Sequence, residues 1–164
     1  MTQTVQDQQI PTSALILGLA GLIPLLGLAI WQSITPDELL TERLIMAYVF
    51  YAASILSFLG GIGWGLGMSE RDPVQRGLSL GISTVPSLIA WAAAFVNVQN
   101  LGFTLLVLAS AFLLQGAWDW HLTTNGRAPR WFGILRMGLT VAVLSSMAIV
   151  WFTQAPAAGI GGQL

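Results

Sequence analysis

Charge is scarce in this sequence, and its densest grouping that could do chemistry straddles one short connection: Asp119 and His121 in "WDWHLTTNG", then Arg130 and Arg136 in "APRWFGILRMGLT". Arg136 is the most informative of the four. It lies five residues beyond Trp131, about 7.5 Å further along a helix, in an apolar run where a guanidinium must find a partner or reach back to the interface. Asp119 is a reasonable partner by depth, with Glu70 and Asp72 as alternatives. Two chemistries follow. One is an ion pair that fixes the fifth helix against the fourth. The other is a small polar pocket, formed by Asp119, His121, Arg130 and Arg136, for a lipid head group or another anion.

Other chemistries find little support. His121 is the only histidine, so a haem between two imidazoles of one chain is excluded, and a protein zinc site would draw nearly all its ligands from carboxylates. An exposed interface histidine is the expectation. With no cysteine there is no disulfide, thiolate metal site or cysteine nucleophile, and no serine stands in a nucleophile-elbow setting. The sequence therefore calls for no catalytic residue, metal or cofactor.

The stretch "SFLGGIGWGLGMSERD", Ser57 to Asp72, crowds five glycines around Trp64. A phosphate cradle needs a strand, a glycine turn and then a helix N-terminus; here the glycines end a helix, and their spacing fits neither nucleotide pattern. At helical period, Ala53, Ser57, Gly61, Gly65 and Ser69 form an i, i+4 ladder of small residues, the kind of surface that lets membrane helices approach closely. Gly77 and Gly81 on the third helix, and Gly18, Gly21 and Gly27 on the first, offer matching faces. Helices one to three are thus expected to make the tight core.

The elements that must carry these residues are apolar runs. Hydrophobic residues are 55% and charged residues 8% of 164, with mean hydropathy +0.75, where soluble domains hold about 25% charge. Five runs approach the roughly 20 residues that cross a bilayer: about 14–31, 44–67, 78–98, 101–118 and 131–152. The reading is one all-α membrane domain over 1–164, a bundle of five transmembrane helices. The first run is read as a retained helix, because no Lys or Arg precedes it and no convincing cleavage site follows "LAIWQS". Pro24 and Pro86 interrupt the first and third runs and predict kinks that fit neighbouring helices. "VNVQN" makes a tight hairpin with Asn97, Gln99 and Asn100 at its tip. The tails "MTQTVQDQQIP" and "TQAPAAGIGGQL" read as short and mobile, no extramembrane segment is long enough to fold alone, and no inverted repeat is visible.

Arg71, Arg76, Arg127, Arg130 and Arg136 gather at the connections after the second and fourth helices, and Arg43 alone lies opposite. The positive-inside rule then puts the N-terminus in the cytoplasm and the C-terminus in the periplasm, with "TPDELLTER" as an acidic outer loop. Trp31 and Trp151 fall near the outer interface, and Trp118, Trp120 and Trp131 near the inner one, as aromatic belts require. A net charge of −1 without any lysine sets nucleic-acid binding aside.

In order and spacing, "YAASILSFLGGIGWGLG", "VPSLIAW" and "APRWFGILRMGLTVAV" resemble an uncharacterised family of small proteobacterial inner-membrane proteins, related to the mitochondrial transmembrane protein sixty-nine. The resemblance covers most of the chain and implies a multi-pass helical fold in a bacterial inner (plasma) membrane, with no established activity. It also implies that His or Arg often precedes the tryptophan of the second helix, where this chain has Gly63. Three functions are expected in order: a non-enzymatic accessory or assembly subunit packing against a larger complex of the respiratory or photosynthetic kind; a small transporter, channel or lipid-binding protein; and a membrane enzyme. Membrane lipids and a membrane-protein partner are the implied company.

Overall fold

The computed structural model describes residues 9–96 and 100–160, all of whose regular elements are helices. They are α1 (Thr12–Ile34), α2 (Glu38–Met68), α3 (Pro73–Val96), α4 (Leu101–Thr124) and α5 (Arg130–Ile160). The shortest has 23 residues, about 35 Å at 1.5 Å per residue, enough to cross a hydrocarbon core. All five contain a stretch long and apolar enough to do so.

Every helix reaches beyond its expected bounds, for local reasons. The loop expected over "TPDELLTER" shrinks because Asp37 caps α2, its side chain accepting from the Leu40 N–H at 2.9 Å. Pro73 opens α3, where a missing N–H costs nothing, and Asp72 accepts from Val74 N–H at 3.0 Å. "DWHLTT" continues α4 until Gly126 takes a left-handed φ of 70°. Gly126 N–H then bonds Thr123 O and Arg127 N–H bonds Leu122 O, the Schellman closure that only glycine adopts without strain. Thr153 and Gln154, assigned to a mobile tail above, belong to α5 and bond Gln32 of α1 at 2.9 and 2.7 Å. Asn100 caps α4 through Phe103 N–H; Asn97 and Gln99 lie outside the described residues.

The helices form a closed ring in chain order, each against the next and α5 against α1, with α2 also touching α4 across the middle. The expected core of helices one to three is therefore corrected: α1 lies between α2 and α5, and α3 between α2 and α4. Tyr48, Ala52, Leu56, Leu108, Phe112 and Val150 fill the centre, each at most 1% exposed. Outward the surface is as apolar as the interior, with Leu17, Phe58, Leu88, Trp91, Phe95 and Phe152 all more than 60% exposed. That inversion suits lipid rather than water.

The glycine ladder does not make the seam. Gly61, Gly65, Gly77 and Gly81 are exposed, and a Cβ on any of them would meet nothing within 4 Å. Ala53 is buried and Ser57 half-buried. A step of four residues overshoots the 3.6-residue turn by about 40°, so a row that starts inside at Ala53 winds out to the lipid face by Gly61. The seam runs through Gly60, Gly63 and Gly67 instead. Their Cβ positions lie 2.6 Å from Ser83 O, 2.8 Å from Ser83 Oγ and 3.1 Å from Ser79 Cβ of α3. Gly60 rests on the turn that Pro86 interrupts; on the other flank, Tyr51 Oη donates to Gly21 O at 2.9 Å, three residues before Pro24. In membranes such neighbours compensate the backbone bonds that proline removes.

Candidate functional site

α4 and α5 meet antiparallel through three matched contacts. Gly116 faces Thr140, whose Oγ1 is 3.1 Å from the glycine's Cβ position, and Gly133 faces Thr123 at 2.8 Å. Between them Arg136 Nε donates to Asp119 Oδ2 at 2.7 Å. Two glycines thus bring the helices close enough for a direct charged contact. Gln115, one turn before Asp119, donates to its other oxygen at 2.9 Å, so both carboxylate oxygens are engaged. The side chains of Asp119 and Arg136 are 2% and 7% exposed. Arg136 stands about 9 Å along α5 from Arg130, below the interface. An ion pair withdrawn from water is tolerated when its remaining groups are satisfied.

Satisfaction is incomplete on one side. Arg136 Nη2 and Thr140 Oγ1 are buried with no hydrogen-bond partner among the described residues, and so is Thr104 Oγ1 further along α4. Arg136 and Thr140, one helical turn apart on one face, both line a cavity of about 320 Å³ between α1, α2 and α5. The rest of its wall is apolar, including Gly18, Gly21, Ile55, Phe112, Trp131 and Leu139. Its rim carries Leu17 and Phe58, 72% and 66% exposed, so it opens sideways toward the lipid. It follows α1 from Ala14 to Leu25, about 16 Å.

The expected four-residue cluster is divided. Asp119 and Arg136 come together, but His121 and Arg130 are exposed and point elsewhere. His121 packs on Trp118 with ring centroids 5.6 Å apart and lies 2.9 Å from the Asn125 amide; two residues after Asp119 on a helix, it is rotated about 200° away. Glu70 and Asp72 are not partners of Arg136. Glu70 pairs with Arg127 at 3.2 Å, the two side chains partly exposed, which ties the two arginine-bearing connections together. A second cavity of about 320 Å³ lies below that pair, walled by Gly63, Gly67, Ser79, Ser83, Trp118 and Arg127. Among the described residues no three His, Cys, Asp or Glu side chains gather as a metal site would need.

Gln115, Thr140, Gly116 and Gly133 were missed by sequence reasoning. Their signal was present as a complementary pair of patterns, Gln115-Gly116-Asp119-Thr123 and Gly133-Arg136-Thr140, which match when one is read backwards against the other.

The family model described as "Protein of unknown function (DUF3429)" matches residues 10–152, a span that holds every residue of this site. Transmembrane protein 69 of Xenopus tropicalis is 37% identical over 138 residues, 84% of this chain and 53% of that protein. Transmembrane protein 69 of Mus musculus is 30% identical over 141 residues, 85% of this chain and 55% of that protein. The chain spans about half the length of these curated relatives. No solved structure matches it. Five membrane-length helices and a match over nearly their whole extent make this chain a member of the DUF3429 family of unknown function, related to Transmembrane protein 69.

Proposed function

We propose that this membrane protein binds a chain-bearing amphiphile between α1, α2 and α5, without chemically transforming it. One observation carries the reading: a buried guanidinium nitrogen without a partner, on a residue that lines an apolar cavity opening toward the lipid. A buried donor left unmatched is costly, and a mostly apolar recess of about 300 Å³ or more with a few convergent polar groups is the usual form of a small-molecule site. Asp119, held by both Arg136 and Gln115, offers no free base, which favours binding over catalysis. The clustered arginines support an orientation with the α2–α3 and α4–α5 connections on the cytoplasmic side of a bacterial plasma membrane.

Native mass spectrometry of the protein extracted in gentle detergent tests the binding. A stoichiometric small-molecule adduct is expected on the wild type. Gly21→Phe should remove it without unfolding the protein, because Gly21 lines the cavity and its Cβ direction is open. A wild type that flies free of any adduct overturns the reading.

A second reading, an accessory or assembly subunit of a larger membrane complex, draws on Gly61 and Gly65. Both are exposed and uncovered on the outer face of α2, where a helix from another protein could approach closely. Gly61→Leu should then leave the fold intact while releasing a co-purifying protein; an unchanged co-purification profile removes this reading.

A further inference from the structure

Resting on the binding proposal, we infer that the occupant of the α1–α2–α5 cavity is uncharged: a long-chain molecule whose head presents a carbonyl oxygen to the guanidinium of Arg136. Among the described residues lining the cavity, Arg136 is the only charged one, and its charge is already met by Asp119 at 2.7 Å, with that carboxylate 2% exposed. A phosphate or carboxylate brought to the Arg136 guanidinium would place two anions on one cation where little water screens them, and like charges so placed disfavour the complex. A neutral acceptor has no such conflict. The polarity of the head follows from the donors. A guanidinium donates and never accepts, so an ammonium or amide N–H has nothing to offer it, whereas a carbonyl oxygen can accept from it.

The wall supplies the rest of the molecule. It runs about 16 Å along α1 between apolar residues, from Ala14 to Leu25, the shape for a single acyl or isoprenoid tail lying along the helices. The sideways opening past Leu17 and Phe58 lets such a tail enter from the bilayer. Two sources carry this chemistry, an ester-linked acyl lipid and an isoprenoid quinone.

Three photoreactive probes test the inference on the full chain in lipid nanodiscs. They share one diazirine-bearing saturated chain and differ in head: a methyl ester, a benzoquinone and a sulfonate. Crosslinked peptides are mapped by mass spectrometry. The ester or the quinone should label the α1 segment from Ala14 to Leu25 about tenfold more than the sulfonate, equivalent to about 1.4 kcal/mol, and whichever of the two leads identifies the source. Arg136→Met combined with Asp119→Asn keeps the site neutral and leaves Gln115 a partner; it should bring neutral-probe labelling down to the sulfonate's level while thermal unfolding remains cooperative. Undiminished labelling of that double variant overturns the inference. Preferential labelling by the sulfonate overturns the uncharged head but leaves the binding proposal standing, whereas no labelling of that segment above the lipid-facing background by any probe overturns both.

Discussion

α2 has a proline-interrupted helix on each flank, and it touches each one at the interrupted turn, yet one flank is sealed and the other is open. Toward α3 it presents Gly60, Gly63 and Gly67, and α3 answers with Ser79 and Ser83, so backbone meets backbone. Toward α1 it presents Ile55, Phe58, Leu59 and Ile62, and α1 answers with Gly18 and Gly21. Leu139 of α5 comes within 3.0 Å of the Cβ position of Gly18, but nothing comes within 4 Å of the Cβ position of Gly21. Small residues close a membrane helix pair only when both partners supply them. Bulk on one side holds the backbones apart, and when the third helix contributes Arg136 and Thr140 rather than two leucines, the gap keeps a polar end.

Three changes would break or sharpen that comparison. The largest effect is expected at the polar end of the open flank. Arg136→Leu alone strands a buried carboxylate and should cost about 3–5 kcal/mol, measured by unfolding in mixed micelles. Combining it with Asp119→Leu should recover most of the loss; failure to recover would mean that the pair does more than neutralise itself. Next comes the sealed flank. Gly60→Ala puts a methyl group 2.6 Å from the Ser83 carbonyl oxygen and should cost about 1–3 kcal/mol. The neighbouring Gly61→Ala, aimed into open space, should cost nothing. Equal effects at the two positions would dismantle the assignment of the seam. The smallest effect is at the hinge of the open flank, where Tyr51→Phe removes the bond to Gly21 O. It should cost about 0.6 kcal/mol, the average for such bonds in membranes, with the change read as a small shift of the same unfolding curve.

The site was half legible. Arg136 stood out because a guanidinium inside an apolar run requires a partner wherever it sits, and Asp119 was the carboxylate at matching depth. Membership of His121 and Arg130 was inferred from nearness along the chain, and nearness fails on a helix: two residues turn a side chain through about 200°, and Arg130 sits at the first residue of α5, a turn and a half before Arg136. Gln115 and Thr140 carry no charge and look like many polar residues in membrane helices, so their part depends on the register between α4 and α5. That register is set by Gly116 and Gly133, each meaningful only opposite its threonine.

Composition alone determined that this chain lives in lipid, since a run of about 20 apolar residues has one stable way to satisfy its backbone there, and that is a helix. It also determined that there are five such helices and that Arg136 must be paired. Only the tertiary structure decided which glycines close a seam. Both 60-63-67 and 61-65 are stripes of small residues on α2, equal in hydropathy and separated by about one residue's rotation. The choice came from α3, whose serines lie opposite one stripe and leave the other facing out. Likewise the cavity belongs to no single stretch of sequence: it is what remains when three helices of unequal bulk pack around a fixed ion pair.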